Sequence, residues 1–93
     1  MGGVDTNPVP IVQTIPSYTD QAIKAKVQGV VLLQAIIRRD GSVTDLRVLR
    51  GLGYGLEEKA IQEIASNWKF RPGTLDGRPV DVLATIEVTF NLR

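Results

Sequence analysis

The residues able to do chemistry are few, and their spacing gives them quiet roles. The chain of 93 residues has no histidine and no cysteine. That removes the usual general base, the commonest metal ligand and all thiolate or disulfide chemistry. Gly51-Leu52-Gly53-Tyr54-Gly55 stands between an expected strand and an expected helix, where phosphate-binding loops occur. It lacks the dinucleotide spacing, no Lys-Ser/Thr pair follows, and Glu57 and Glu58 at the helix start would repel an anion. It reads as a flexible connection. Arg38, Arg39, Arg47 and Arg50 would share one hairpin, yet Asp40 and Asp45 interleave with them and only Tyr54 is near enough to stack on a base. With 11 basic against 10 acidic residues, no nucleic-acid partner is expected. Glu57, Glu58 and Glu63 lie on one helix and serve its dipole and solubility better than acid–base work. Neither an enzyme nor a metal or cofactor site is expected.

These residues need elements to carry them, and the length suits one domain. Hydrophobic residues make up 43% and mean hydropathy is near zero, enough apolar material for one core. No stretch approaches the roughly 18–20 apolar residues of a membrane span, and no signal-peptide pattern opens the chain. Met1-Gly2-Gly3 reads as an expression boundary, as if one domain had been cut from a longer protein. Pro8, Pro10 and Pro16 prevent a helix and predict an extended arm over residues 1–16. Ser17 to Gln28 reads as a short helix with Ser17 and Asp20 as a capping box and Gly29 as its stop. Val30 to Arg38 is a strand apolar on both faces, which places it centrally. Asp40-Gly41 signals a two-residue type I′ turn, and Val43 to Arg50 returns with a bulge near Thr44-Asp45. Leu56 to Trp68 is a helix whose stripe is Leu56, Ala60, Ile61, Ile64, Ala65 and Trp68. Trp68 and Phe70 read as a core clamp.

From Val80 onward apolar and polar residues alternate, broken only at Leu83. The fold class is therefore α+β, in the order arm, helix, strand, strand, helix, strand. The two helices cover one face of a three-stranded, antiparallel or mixed sheet in a two-layer arrangement. The first strand lies between the other two, so the last strand is an edge that buries its even-numbered row. Its other face leaves Val30, Leu32 and Ile36 uncovered, so the arm, through Val9, Ile11, Val12 and Ile15, or a second copy is expected to fold over them. About thirteen residues would reach roughly 43 Å, long for a strand. Such an edge invites pairing; Glu87 and Arg93 protect it only in part. β-augmentation by a peptide fits it.

An ordered set of residues resembles a known family. Tyr18, Ala22, Gly29, Val31, the Asp40-Gly41 turn, Val43, Leu46, Val48, Leu56, Ala60, the run Trp68-Lys69-Phe70-Arg71-Pro72-Gly73, Asp76-Gly77 and the alternating strand to Phe90 are similar to the C-terminal domain of TonB-type energy transducers. The family's Tyr-Pro at the first helix is Tyr18-Thr19 here. The resemblance implies a TonB C-terminal-like domain over 17–93, periplasmic and tethered to the inner membrane by an N-terminal helix and a proline-rich linker. It implies docking of the TonB box of outer-membrane transporters on the last strand, at Ala84, Thr85, Ile86, Glu87, Val88, Thr89, Phe90, Asn91 and Leu92. Inner-membrane motor proteins would act through an N-terminal part that this chain lacks. The alternative is a TolA-like or self-associating assembly domain of the cell envelope, a homodimer joined through the last strand.

Overall fold

A computed structural model describes residues 4–92, so Met1-Gly2-Gly3 and Arg93 lie outside the described residues. The elements run β1 (Val9–Val12), α1 (Asp20–Lys24), β2 (Gly29–Ile37), β3 (Val43–Arg50), α2 (Leu56–Asn67), β4 (Lys69–Arg71), β5 (Gly73–Leu75), β6 (Arg78–Val80) and β7 (Val82–Phe90). The main sheet has the order β3-β2-β7 with both pairings antiparallel, as the two-layer α+β reading required. β2 and β7 pair over nine consecutive positions, from Gly29–Phe90 to Ile37–Val82. Val31, Leu33, Ala35 and Ile37 of β2 and Ile86, Val88 and Phe90 of β7 turn to one face, where they are buried with Ala22 of α1 and Leu56, Ala60 and Ile64 of α2. The expected stripe on α2 also held Ala65, which is exposed. The i, i+4 series 56-60-64 continues to Trp68, and Ala65 falls off its edge.

The first helix is shorter than Ser17–Gln28. Thr19, not Ser17, caps it, accepting the Ala22 N–H at 3.1 Å. At the other end Lys26 takes a left-handed φ of 56°. Its N–H donates to the Ile23 carbonyl, and that of Val27 to the Ala22 carbonyl. Crossed bonds of this kind close a helix before the glycine is reached, and Gly29 instead opens β2. Tyr18, just outside the helix, meets Phe90 edge to face at 5.4 Å and donates to the Val27 carbonyl.

The first hairpin also differs. The Arg38 N–H donates to the Ser42 carbonyl and the Gly41 N–H to the Arg38 carbonyl, with only Gly41 at positive φ. That is a three-residue loop, not a type I′ turn. Asp40 stays at negative φ while its carboxylate accepts from both the N–H and the hydroxyl of Ser42. The second Asp-Gly, Asp76-Gly77, does have both residues at positive φ and joins β5 to β6 in two residues. The expected bulge lies where it was placed: the register slips between Gln34–Arg47 and Ile36–Thr44, and Asp45 has φ 54°.

The arm does not cover the far face of the sheet. β1 pairs antiparallel with β4 instead, and Thr6 bridges to Thr74. Val9, Ile11, Val12 and Ile15 are all exposed, as is Val30 on the face they were expected to cover. Hydrogen bonding decides this: the arm's backbone finds partners along residues 69–74, whereas the middle of a sheet face offers none.

Trp68 closes α2 and Phe70 follows on β4, both buried, their ring centroids 6.3 Å apart. The Trp68 Nε1–H donates to the Thr14 carbonyl at 2.9 Å, tying the arm to the core. Trp68→Ala is expected to cost about 3–5 kcal/mol, read as a shift in urea midpoint at unchanged slope. A midpoint that scarcely moves would contradict this packing.

Candidate docking edge

β7 is paired along one side and bare along the other. No strand lies beyond it among the described residues. It carries no proline from Val82 to Phe90, so every residue keeps its backbone donor. In an antiparallel ladder alternate residues turn both N–H and C=O away from the partner, and on β7 those outward groups meet no further strand. Ile86, Val88 and Phe90 are buried in the core with Ala84 packed against it, while Leu83, Thr85, Glu87 and Thr89 are exposed. Of the residues expected to dock a partner, Ala84, Thr85, Ile86, Glu87, Val88, Thr89 and Phe90 belong to β7. Asn91 and Leu92 follow its end, where the Leu92 N–H donates to the Gln28 side chain at 2.8 Å.

The strand is shorter at its start than the alternation predicted. Val80 belongs to β6, and Asp81 divides β6 from β7. Its carboxylate accepts from the Arg39 backbone N–H at 2.8 Å and from the Arg38 guanidinium at 3.2 Å. Alternating hydropathy persists through such a break because the side chains keep their faces while the ladder changes partner. The nine remaining residues span about 30 Å.

A groove runs beside the bare edge. One depression of about 370 Å³ lies between Asn7, Pro8, Pro10 and Gln13 of the arm and Val82–Glu87 of β7, with Trp68 and Phe70 also lining it. A second, about 340 Å³, continues between residues 13–16 and 87–89. The arm and β7 therefore run in the same direction along opposite sides. Glu87 borders both depressions and, among the described residues, is the one charged residue lining either. The sequence signal for this wall was the proline spacing of the arm, which was assigned to the wrong face.

The other candidates do not assemble into a site. The Gly53 N–H donates to the Glu57 carboxylate at 2.7 Å, and this bond holds that carboxyl below its usual range. The glycine loop is thus occupied by the protein's own anion. Arg38 is paired with Asp45 at 2.9 Å and with Asp81, which neutralises part of the basic hairpin. Glu63 accepts from the Thr14 hydroxyl and, at 2.9 Å, from Asn67, and so serves the arm. Among the described residues no group of three or more acidic side chains could hold a metal, and no helix is long and apolar enough to cross a membrane.

Residues 14–92 match the family described as the Gram-negative bacterial TonB protein C-terminal. The chain belongs to the TonB C-terminal family. Protein TonB of Xanthomonas campestris pv. campestris, in strains B100 and ATCC 33913, is 30% identical over 77 residues. That alignment covers 83% of this chain but only 34% of each relative, so the chain spans about a third of their length. The solution NMR structure of the Pseudomonas aeruginosa TonB CTD superposes with a TM-score of 0.71 at 26% identity, covering 96% of this chain and 90% of that one. The α+β architecture is that of a TonB C-terminal domain.

The Asp81 corner gives a pH-dependent prediction. The Arg39 N–H foremost, then Arg38, hold its carboxyl below the ordinary carboxylate range. A depressed folded value means that the stabilisation is complete above the unfolded pKa of about 3.9 and is lost as pH falls through the folded value. Asp81→Asn is expected to lower Tm at pH 6 and to converge with the parent near pH 2. A Tm gap that is constant across that range would contradict the ionised corner.

Proposed function

We propose that this domain is the periplasmic docking module of a TonB-type energy transducer. It takes the TonB box of an outer-membrane transporter as an added strand on the free edge of β7. The observation that carries the reading is the bare, proline-free edge beside a groove floored by Trp68 and Phe70. An extended peptide satisfies such an edge with main-chain hydrogen bonds, and alternate side chains meet the groove floor and solvent. Family membership supports the same assignment. The domain contributes no covalent chemistry. Force from inner-membrane motor proteins would reach it through the N-terminal part of the longer protein, arriving along the arm.

Affinity for an isolated box peptide is expected to be micromolar or weaker, because a short flexible segment must be ordered on binding. The test is an NMR titration of the domain with a panel of box peptides from outer-membrane transporters. Shifts are expected along residues 83–90. Single prolines at 85 and 89 or at 84 and 88, whichever pair turns its N–H outward, should abolish binding while the fold survives, since proline removes the donor and cannot continue the ladder. Thr85→Ala and Thr89→Ala should change affinity only modestly. Shifts confined to the first hairpin or the Gly51–Gly55 loop would reject the docking edge. Concentration-dependent dimerisation through β7 with no response to peptide would favour the self-associating alternative.

A further inference from the structure

The free edge of β7 carries a single charge. From Val82 to Phe90 the one ionisable side chain is Glu87, and it is exposed. Its neighbours on the same face of the sheet are all uncharged. Thr85 and Thr89 flank it on β7, Leu32 lies directly across on β2, and Val30 and Gln34 lie diagonally. Arg50 stands beyond Leu32, one strand further on, about 10 Å from Glu87 at the usual spacing of strands. Among the described residues the ion pairs are made by Arg38 and Arg39 with Asp45 and Asp81, and none reaches Glu87. Glu57 and Glu63 accept hydrogen bonds from within the domain, whereas the Glu87 carboxylate is left to whatever lies past the edge.

What lies past the edge in the docked state is another strand. Residues opposed across a strand pair share a face, with Cβ atoms about 4.5–5.5 Å apart. One residue of an added peptide must therefore stand beside Glu87, on the side turned away from the core. The peptide residues before and after it turn the other way, toward the core side that holds Trp68 and Phe70 with Ile86 and Val88. Whether the peptide runs parallel or antiparallel to β7 changes which residue stands beside Glu87, not that one does. Opposite charges so placed attract, and like charges repel by a similar amount. With only uncharged residues around Glu87, nothing nearby on its face offsets that preference.

We propose that Glu87 is the charge-selecting residue of the docking edge. It favours peptides with Lys or Arg at the one position beside it and disfavours those with Asp or Glu there. The inference rests on the docking reading above. Main-chain hydrogen bonds to β7 would hold any extended peptide of suitable shape. Glu87 then separates one peptide from another, by attraction and repulsion together. An exposed pair of this kind is worth little in absolute terms and is weakened by salt, so the selection is a graded preference.

The experiment takes whichever box peptide binds tightest in the titration and places Lys, Gln or Glu at each of its positions in turn. Peptides that differ only in where the charge sits have the same net charge, so a preference confined to one position is local. At one position Lys is expected to bind about 3- to 10-fold tighter than Glu, with the gap shrinking as salt is raised. Glu87→Gln should bring that ratio to within about twofold, and Glu87→Lys should invert it, with both variants keeping the parent's amide spectrum away from β7. If β7 shifts on peptide addition but no position separates Lys from Glu by more than about twofold, charge selection is overturned and β7 docking stands. A preference that survives Glu87→Gln unchanged also overturns it, since its source is then another residue. If β7 responds to no peptide, the docking reading fails and charge selection fails with it.

Discussion

β2 and β7 are brought together from distant parts of the chain and then pair without a register slip over nine positions. Everything else in the domain depends on that ladder. One face of the pair supplies most of the buried aliphatic side chains, and α1 and α2 exist to cover that face; a helix as short as α1 would not persist without it. The sheet ends at β3 on one side and at β7 on the other, and the groove beside the arm borders the β7 edge. The pairing that builds the core therefore also creates the vacant edge. An exposed edge of this length is a hazard that proteins commonly blunt with charge, proline or a covering segment. Here the covering segment stands off from the edge and leaves a groove.

The standing-off is produced by a small set of bonds. β4 turns its Lys69–Arg71 backbone to the arm, and the Phe70 N–H closes on Gly41 in the first hairpin. Gly41 is constrained from both directions, since it has φ 89° and an added Cβ would lie 2.3 Å from the Phe70 carbonyl oxygen. The segment Trp68–Gly73 thus joins the arm, the first hairpin and the core at once. It is also the segment through which a pull on the arm would be felt by the groove. In the proposed docking role, an arm laid along the groove in the same direction as β7 would carry load in line with a bound peptide.

Much of this was legible in the sequence. The order of the two helices and the three long strands, the central position of β2, the edge position of β7 and the bulge near Asp45 followed from hydrophobic period and turn residues, which report faces and not partners; the short strands β4, β5 and β6 did not. For the same reason the alternation from Val80 to Leu92 concealed the break at Asp81, where the faces continue and the ladder does not. The helix at 20–24 was overestimated because its end is made by Lys26 in a conformation usually given to glycine, and Gly29 looked like the stop. Two Asp-Gly pairs looked alike; one makes a two-residue hairpin, and the other sits in a three-residue loop because Asp40 is bound to Ser42. The arm was read as apolar and so assigned to an apolar face. Its prolines were the better clue, since they mark a strand with one paired side and one side without donors.

Amide hydrogen exchange on β7 addresses the central claim most directly, because it reports which N–H groups of the strand are already bonded. In the free domain, alternate amides from 83 to 90 are expected to exchange slowly, as β2 requires, with those between them exchanging fast. On saturation with a bound box peptide the fast set should become slow while the slow set is unchanged, giving uniform protection along the strand. Uniform protection in the free domain, or an alternation that persists at saturating peptide, would contradict β7 as the docking edge.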